Sequence, residues 1–331
     1  MQEFRTEVNV TPSNRPMHLN TGILTQGSCF SDAIGNRLAA FKVKTLINPF
    51  GVIYNPESIH QVLTYSIFNE PVPDHTYLRN QDLYLNYNFH SEFAALKKDE
   101  LAARLSNAIG TAHYFLKDTA WLLLTYGTAW IYQRNETGET VANCHKLPAA
   151  MFTKSLLTTE TIELSFKKFY DDLKKFNPGC KVILTVSPVR HIKDTLELNS
   201  VSKSILRVAC HNLSRRYDDV EYFPAFEMII DDLRDYRFYK SDMLHPTSEA
   251  EEYIWEKFME RYFSQDLKDF VKKWEVILSA LRHRPFHPAS SAHQQFLQAT
   301  LKKLEELKNL VNVDDEESMI KQQMTKQIHH D

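Results

Sequence analysis

The sequence predicts an α/β protein with a central parallel sheet that is covered by helices on both faces. Apolar, strand-like runs alternate with amphipathic helical runs from about residue 20 to residue 262. Because consecutive parallel strands need a crossover, which is usually a helix, this alternation is typical of a three-layer α/β/α fold. The 331 residues, of which 43% are hydrophobic and 24% are charged, suffice for one large α/β domain and an appendage.

Hydrophobic spacing and turn residues define the individual elements. Phe30, Ile34 and Leu38 recur at the spacing of one helix face, and the run Asn177-Pro178-Gly179 ends a later helix. The strands expected in the main sheet are 23–25 (leading into Gly27), 42–46, 121–125, 181–186 and 220–223. The helices expected between and after them are 30–38, 56–68, 100–115, 162–176, 201–217 and 248–262.

Two hairpins are expected in addition to the main sheet. Residues 76–78 and 83–87 flank a polar turn, and we expect this pair to leave the main sheet. Residues 129–133 and 140–144 flank Asn135-Glu136-Thr137-Gly138, which is a typical turn sequence between two strands.

The chain is expected to divide near residue 263. Residues 1–263 form the α/β domain, and residues 264–331 form a C-terminal helical extension with an acidic, solvated tail that begins at Asp314. Helices are expected at 267–281 and 296–311. They pack on the core or mediate a homodimer, and we favour packing because an apolar helix stripe is usually buried in its own domain.

Composition excludes several classes of protein. The net charge of −3 gives no basic excess for a nucleic-acid partner, and no apolar run is long enough to span a bilayer. Residues 1–5 lack a signal-peptide pattern, although a secreted protein whose leader has been removed is an alternative. We therefore expect a cytoplasmic protein without a metal or cofactor. Its four cysteines follow no zinc or disulfide spacing: Cys29, Cys144, Cys180 and Cys210.

Chemistry-bearing residues follow the predicted strands. In open parallel sheets, ligands bind beyond the carboxyl ends of the strands. Each segment there could be a simple turn, because glycine and proline commonly end strands in loops. The segments at these ends are Gly27-Ser28-Cys29, Asn48-Pro49-Phe50-Gly51, Gly127-Thr128 and Ser187-Pro188-Val189-Arg190.

The first of these segments places a nucleophile at the start of a helix. Free N–H groups and the helix dipole at that position stabilise a thiolate, an alkoxide or an oxyanion. We expect a cysteine there, beside a histidine, to have a depressed pKa. The alternative is that Ser28 only caps the helix, while Cys29 is buried as a small apolar residue.

A second pattern, Asp242-x-x-His245, precedes the last helix of the α/β domain. Its carboxylate can accept a hydrogen bond from one ring nitrogen, which leaves the other nitrogen free to act as a base. The alternative is a surface loop in which the aspartate is only a cap.

Together, these patterns resemble the GSCFA family, within the SGNH-hydrolase-like superfamily. The naming motif is Gly27-Ser28-Cys29-Phe30-Ser31, with Ser31 in place of the family's alanine. The resemblance covers roughly residues 20–260 and implies a flavodoxin-like parallel sheet. The other matching segments are Asn48-Pro49-Phe50-Gly51, Gly127-Thr128-Ala129-Trp130, Asn143-Cys144-His145-Lys146, Ser187-Pro188-Val189-Arg190-His191 and Asp242-x-x-His245.

The resemblance implies roles, and two of them depart from the superfamily pattern. Gly-x-Ser of the first block places Cys29, not Ser28, in the nucleophile's position, and we favour Cys29. Gly51 fits the second block, which donates an N–H to the oxyanion. Ala129 stands where the third block, Gly-x-Asn, has its asparagine. The oxyanion donor that this asparagine would provide is then either absent or replaced by Thr128, Asn48 or another group.

Two further residues are candidates for the pocket. Arg190 either binds an acidic group of the substrate or pairs with a carboxylate on the rim. His145 either lines the pocket or follows Cys144 in a core segment.

The leading hypothesis is an esterase that removes an O-acyl or O-acetyl group from a small or carbohydrate-like substrate. Cys29 or Ser28 attacks, His245 takes the proton and Asp242 orients His245. Three alternatives are an acyltransferase with the same site, a catalytically inactive ligand-binding protein on this fold, and an interaction protein that works through its C-terminal helices.

Overall fold

The computed structural model describes residues 6–325, which form two compact units. The first unit comprises residues 6–15 and 20–262, and the second comprises residues 16–19 and 263–325.

The core of the first unit is a five-stranded sheet. Its strands are β1 (Ile23–Gly27), β2 (Thr45–Ile47), β5 (Trp121–Tyr126), β9 (Lys181–Val186) and β10 (Val220–Tyr222). They lie in the order β2-β1-β5-β9-β10, and all neighbouring strands are parallel. Numbered within the sheet alone, this order is 2-1-3-4-5, which is the flavodoxin-like arrangement.

Helices cover both faces of this sheet. The core cluster on one face joins alternate residues of β1, β5 and β9 to four helices: α2 (Pro56–Phe68), α3 (Lys98–Lys117), α4 (Thr159–Phe176) and α5 (Leu196–Arg216). On the other face, Trp121 of β5 meets Tyr262 with 5.7 Å between ring centroids. That face is covered by α1 (Cys29–Ala40) and α7 (Ser248–Tyr262). The structure is therefore the predicted three-layer α/β/α fold.

Two small antiparallel sheets and a short irregular helix complete the unit. One sheet pairs β3 (Tyr77–Asn80) with β4 (Leu83–Asn86), as predicted. The other adds β8 (Phe152–Leu156), which was not predicted, to the predicted hairpin of β6 (Trp130–Arg134) and β7 (Thr140–Val141). The helix is α6 (Ala225–Glu227), which continues as a π-helical turn at Met228–Asp232.

Most element boundaries agree with the sequence, and the largest corrections concern two strands and two helices. The helix predicted at 296–311 forms at Ser291–Leu307, where the side chain of Ser290 accepts a hydrogen bond from the N–H of His293. The hairpin strand predicted at 140–144 ends at Val141. The segment predicted as a strand at 42–46 forms a strand only at Thr45–Ile47, because Lys42 adopts a left-handed φ of 60°. The helix predicted from residue 201 begins at Leu196, where the side chain of Thr195 accepts a hydrogen bond from the N–H of Leu198.

The second unit contains three helices: α8 (Gln265–Arg282), α9 (Ser291–Leu307) and α10 (Asp314–Thr325). Each of the first two buries an apolar stripe, such as Trp274 in α8 and Leu304 in α9. The prediction of an acidic tail from Asp314 was wrong as far as residue 325. Asp314 to Glu317 form the first turn of α10, where carboxylates interact favourably with the helix dipole. The rest of the predicted tail, 326–331, lies outside the described residues.

Between residues 6 and 325, no helix is both long enough and apolar enough to cross a membrane.

Candidate active site

The segments singled out in the sequence meet at one edge of the main sheet. Gly27 at the end of β1 lies opposite Thr125 of β5, and Tyr126 lies opposite Val186 of β9. The residues that follow these three strands therefore emerge side by side. This is also the point where the strand order reverses, between β1 and β5, which is where flavodoxin-like sheets bind ligands.

A tight turn after β1 presents the candidate nucleophile. Gly27 has a φ of +148°, and a Cβ at this position would lie 2.2 Å from the carbonyl oxygen of Thr125, so only glycine fits. Ser28 N–H donates to that same oxygen at 3.1 Å, and Gly27 N–H donates to Asn48 Oδ1 at 2.9 Å. These bonds fix the backbone at the residue before Cys29.

Ser28 and Cys29 occupy different environments. Ser28 is fully buried, and its Oγ accepts a hydrogen bond from the N–H of Phe30 at the N-cap of α1. Cys29 is only partly buried and is a free thiol. Ser28 thus caps the helix, and the side chain with access to solvent is that of Cys29.

The expected depression of the Cys29 pKa is wrong. Burial raises the pKa of the thiol, and the negative charge of Asp32, one helical turn away, raises it further. The backbone N–H of Cys29 and the charge of Lys203 act in the opposite direction. Because the net shift is upward, Cys29 is mainly protonated at neutral pH and needs a base to become a nucleophile.

Asp242 and His245 form a hydrogen-bonded pair in the loop before α7. His245 Nδ1 lies 2.7 Å from Asp242 Oδ2, and Asp242 Oδ1 accepts hydrogen bonds from the N–H groups of Leu244 and His245 at 2.9 and 3.0 Å. These bonds lower the pKa of Asp242 to about 2, the two backbone N–H groups being the largest cause. An ionised carboxylate only accepts hydrogen bonds, so Nδ1 carries the proton and Nε2 has a free lone pair.

Arg190 holds this loop in place. Its N–H donates to the carbonyl oxygen of Leu244, and its Nη1 donates to that of Met243, both at 3.3 Å. Its guanidinium lies 3.9 Å from the centroid of the Tyr239 ring. Arg190 therefore contacts backbone carbonyls and an aromatic ring, and among residues 6–325 no carboxylate on the rim pairs with it.

Tyr54 and His191 both pack beside Gly127, with 5.2 Å between their ring centroids. Burial raises the pKa of Tyr54, and the charge of Cys29 raises it further. Burial lowers the pKa of His191 to about 3, and the charges of Lys203 and His245 act in the same direction. Within residues 6–325, His245 Nε2 and the Cys29 thiol make no hydrogen bond to each other. Catalytic hydrogen bonds are often long before substrate binds.

The proposed oxyanion donors already have partners within the protein. Gly51 has a φ of +71°, and its N–H donates to the carbonyl oxygen of Asn48 at 2.8 Å. Gly127 N–H and Thr128 N–H both donate to the carbonyl oxygen of Tyr54, at 2.7 and 3.2 Å. The Asn48 amide donates to Asp32 Oδ1 at 2.6 Å. A substrate oxygen would have to displace one of these bonds, or use the N–H of Cys29 or the second N–H of the Asn48 amide.

The third-block segment is bound to α5 instead of carrying a free asparagine. Ala129 is buried, and its N–H donates to Ser202 Oγ at 2.8 Å. The hydroxyl of Thr128 also lies 3.1 Å from Ser202 Oγ.

His145 belongs to the region of the small sheets. Its Nε2 lies 2.8 Å from the carbonyl oxygen of Asn86 in β4, and its ring packs beside Tyr87. These contacts place it against the β3–β4 hairpin, and within residues 6–325 no hydrogen bond joins its side chain to Cys29 or His245.

Lys203 is a residue of this edge that sequence reasoning missed. Its Nζ donates to the carbonyl oxygens of Gly127 and Ser187, both at 2.7 Å. The residue is 1% exposed, and burial lowers its pKa to about 7. A signal was present, because Lys203 stands in the buried stripe of α5 that continues through Leu206 and Cys210.

A separate groove of about 570 Å³ lies between α2 and α4 and contains His60. The ring bridges Ser165 Oγ at 2.8 Å and the hydroxyl of Tyr126 at 2.7 Å. Tyr126 keeps its proton, because burial raises its pKa well above the ordinary value. The direction of each of these two hydrogen bonds follows the tautomer of the ring. Among residues 6–325, no cluster of His, Cys, Asp and Glu is arranged to hold a metal ion.

The fold and the two sequence blocks at its edge define an SGNH-like α/β protein. The chain belongs to the GSCFA family, whose model matches residues 22–258. A second model, the C-terminal domain of GSCFA domain proteins, matches residues 274–326.

Two solved structures resemble this chain with low TM-scores and low sequence identity. A carbohydrate esterase of family 3 from Talaromyces cellulolyticus has a TM-score of 0.35 and 6% identity, over 77% of this chain and 99% of that one. An acetyl xylan esterase from the rumen bacterium Butyrivibrio proteoclasticus has a TM-score of 0.39 and 11% identity, over 75% of this chain and 64% of that one. At these TM-scores, neither structure bears on the activity of this chain. None of the curated proteins matches it.

Proposed function

We propose that this protein hydrolyses acyl esters, with Cys29 as nucleophile, His245 as general base and Asp242 as the group that orients His245. The observation that carries the proposal is the Asp242–His245 pair. The carboxylate accepts from Nδ1 at 2.7 Å, and this leaves Nε2 as the basic nitrogen. The pair is exposed to solvent, and its loop is bonded to Arg190, which follows β9. Cys29, which begins α1 after β1, is the partly exposed candidate nucleophile at the same edge of the sheet.

The reaction proceeds in two steps. His245 Nε2 takes the proton of the Cys29 thiol as the sulfur attacks the acyl carbonyl carbon. The C–O bond then breaks, and the alcohol leaves with the proton from His245. In the second step His245 removes a proton from water, the hydroxide attacks the thioester, and the carboxylic acid leaves as Cys29 regains its proton.

The raised pKa of the thiol supports a role for a base in this mechanism. Because burial and Asp32 disfavour the thiolate, an uncatalysed thiol is a weak nucleophile at neutral pH. General-base assistance typically contributes a factor of about 10² to 10⁴. We propose a small or carbohydrate-like O-acyl ester as the substrate, and an acyltransferase results if an alcohol replaces water in the second step.

The experiment is a turnover assay with p-nitrophenyl acetate, butyrate and octanoate. Cys29→Ala and His245→Ala should each lower kcat/KM by at least about 10²-fold. Ser28→Ala should retain turnover, because Ser28 caps α1 and does not react in this mechanism. His75→Ala is the matched control, because His75 Nε2 forms a comparably exposed pair with Glu139 at 2.8 Å. Wild-type turnover that survives both Cys29→Ala and His245→Ala would refute the mechanism. Product analysis with added methanol separates transfer from hydrolysis.

One observation favours a second function, a ligand-binding protein without catalysis. The N–H groups of Gly51, Gly127 and Thr128 all have backbone acceptors. The side chain of Ala129 has no amide group to replace that of the asparagine in the superfamily pattern. Loss of one oxyanion donor costs about 3 kcal/mol of transition-state stabilisation. Absence of turnover with all three esters, together with saturable binding of an acetylated sugar by calorimetry, would support this function.

A further inference from the structure

His191, which follows β9, carries a buried ring nitrogen without a partner. Among residues 6–325, no hydrogen bond reaches its Nε2, although the atom is buried. Buried polar atoms are nearly always paired, so each exception requires a physical reason. A phenylalanine would pack with a similar shape and would bury no unpaired polar atom. Packing alone therefore does not account for a histidine at this position.

The contacts of His191 hold the residue in place and leave Nε2 unpaired. The ring packs edge-on against Tyr54, with 5.2 Å between the centroids and 78° between the planes. An aromatic ring is only a weak acceptor of a hydrogen bond. The backbone N–H of His191 donates to Asn199 Oδ1 at 2.9 Å, which anchors the residue to α5. The ring nitrogen is thus fixed in position while its hydrogen bond remains to be made.

This nitrogen lies beside the third block, where the superfamily pattern has a side-chain donor. A Cβ on Gly127 would lie 3.2 Å from His191 Nε2 and 3.1 Å from Cδ1 of Tyr54. The third block has no side-chain amide, because buried Ala129 stands in place of the asparagine. The segment that lacks its donor is therefore the one against which an unpaired donor lies.

The backbone places Gly127 close to the turn that carries the candidate nucleophile. Gly27 and Thr125 are opposite each other in neighbouring strands, and Cys29 and Gly127 each stand two residues beyond that pair. The loop after β2 connects the two turns. Ile53 N–H donates to Gly27 O at 3.0 Å, and the next residue accepts from Gly127 N–H at 2.7 Å.

The same segment also contacts the loop of the candidate base. Arg190, directly before His191, donates from its backbone N–H to Leu244 O and from Nη1 to Met243 O. These two carbonyls immediately precede His245. His191 therefore follows a residue that is bonded to the base loop, and its ring contacts the third block.

We propose that His191 Nε2–H is an oxyanion donor of this site and takes the place of the third-block asparagine. The proposal rests on Cys29 being the nucleophile of the proposed hydrolase. As the sulfur attacks, an S–C bond forms, the π electrons of the carbonyl move to its oxygen, and the thiol proton goes to His245. His191 then donates to the negative oxygen, together with the N–H of Cys29.

The protonation state of His191 agrees with this role. Burial lowers its pKa to about 3, so the ring is neutral at neutral pH. A neutral imidazole with its proton on Nε2 is a hydrogen-bond donor, and such a ring can polarise a carbonyl.

The ring of Tyr54 must turn outward for a substrate oxygen to reach Nε2. This ring is 40% exposed, whereas the backbone of Tyr54 is held by the N–H groups of Gly127 and Thr128. Rotation of the side chain therefore leaves those bonds intact. A substrate that displaces the ring provides the partner that Nε2 lacks.

The test is the affinity for trifluoroacetone, measured by fluorine NMR. A thiol adds to this ketone to form a hemithioketal with a negative oxygen and no leaving group. His191→Phe keeps an aromatic ring against Tyr54 and removes the N–H. Because loss of one oxyanion donor costs about 10²-fold or more in catalysis, it should raise the dissociation constant of the Cys29 adduct at least about tenfold.

A second reaction of the same thiol separates loss of the donor from a general disturbance of the site. Alkylation of Cys29 by iodoacetamide displaces iodide and creates no oxyanion, so its rate in His191→Phe should equal that of the wild type. All proteins carry Cys144→Ser, because Cys144 is the other partly exposed thiol. Cys29→Ala identifies the adduct signal by its loss.

His113→Phe is the matched control. His113 is also half-buried, and its ring packs edge-on against Tyr114 on α3, with 5.4 Å between centroids. This variant should leave both measurements unchanged. Wild-type ketone affinity in His191→Phe overturns the proposal, as does a parallel loss of alkylation rate or an equal loss of affinity in His113→Phe. A wild-type protein that forms no adduct overturns it as well.

A further measurement applies even if His191→Phe does not fold. Otherwise wild-type protein with isotope-labelled histidine is followed by NMR, and the His191 signal is assigned by its loss in His191→Gln. Its Nε2 proton should shift downfield when the ketone adds to Cys29, because it enters a charge-assisted hydrogen bond. An unchanged signal overturns the proposal. None of these measurements uses an ester, so a ketone adduct that depends on His191 without ester turnover would count against the proposed function alone.

Discussion

The turn after β1 provides a quantitative test of how Cys29 is presented. Gly27 and Gly138 both have positive φ values, +148° and +73°. A Cβ on Gly27 would lie 2.2 Å from Thr125 O, whereas a Cβ on Gly138 would meet nothing within 4 Å. Gly27→Ala and Gly138→Ala thus share an unfavourable backbone conformation, and only the first adds a collision with β5.

The expected magnitudes differ accordingly. An alanine in such a conformation costs about 1–2 kcal/mol, which is the whole effect at Gly138. At Gly27, β1 must also move away from β5 by about 1 Å, since ordinary contacts begin near 3.4 Å. That movement strains the packing by about 1–3 kcal/mol and weakens the bond between Ser28 N–H and Thr125 O, which contributes about 1 kcal/mol. We expect Gly27→Ala to cost about 4 kcal/mol.

The assay is urea unfolding at pH 7, followed by the fluorescence of the four tryptophans, with Cys29 alkylation measured on the folded variants. Gly27→Ala should lower the free energy of unfolding by about 2 kcal/mol or more beyond Gly138→Ala and should change the alkylation rate. Equal losses of stability in the two variants would refute the close approach of β1 and β5 as the reason for glycine at position 27.

Three further predictions concern other parts of the molecule. Asp242→Asn should lower kcat/KM by about 10³-fold or more in the ester assay, because the amide can leave Nδ1 without its proton and Nε2 without its lone pair; a loss below tenfold would argue against the orienting role. His60 is buried, with a pKa of about 3 against about 6.5 in an unfolded chain. Below pH 6.5 the unfolded chain therefore binds the extra proton, and stability falls by about 1.4 kcal/mol per pH unit as the pH drops toward 3. In His60→Gln, the slope of unfolding free energy against pH should be smaller by that amount between pH 6 and 4. An unchanged slope would contradict the lowered pKa of His60 in the folded protein. Truncation after residue 263 should leave the α/β unit folded, with the circular dichroism of a mixed α/β protein; loss of soluble expression would show that residues 264–331 are required.

Much of the fold was predictable because its elements carry local signals. The helices Pro56–Phe68 and Ser248–Tyr262 and the strand Lys181–Val186 have the bounds that hydrophobic spacing and turn residues predict. The missed strand, Phe152–Leu156, is a short strand in a small sheet that is mostly half-exposed. Its sequence lacks the apolar run that identifies a strand of the main sheet.

The candidate site was predictable in position but not in its electrostatics. Glycines after predicted strands locate the edge, since the carboxyl ends of parallel strands meet there. The pKa of Cys29 depends on burial and on Asp32, and an argument from the helix N-terminus alone includes neither. Lys203 was missed because its carbonyl partners, Gly127 and Ser187, are distant in sequence, so only tertiary structure brings them together.

The backbone and the side chain of Tyr54 have different roles at the candidate site. Its backbone carbonyl accepts the N–H groups of Gly127 and Thr128, whereas its ring is 40% exposed and packs edge-on against His191. The contact that holds the third block is therefore independent of the side chain at position 54. Substitutions there change the shape and polarity that an incoming ligand meets, while the backbone bonds that hold Gly127 and Thr128 persist.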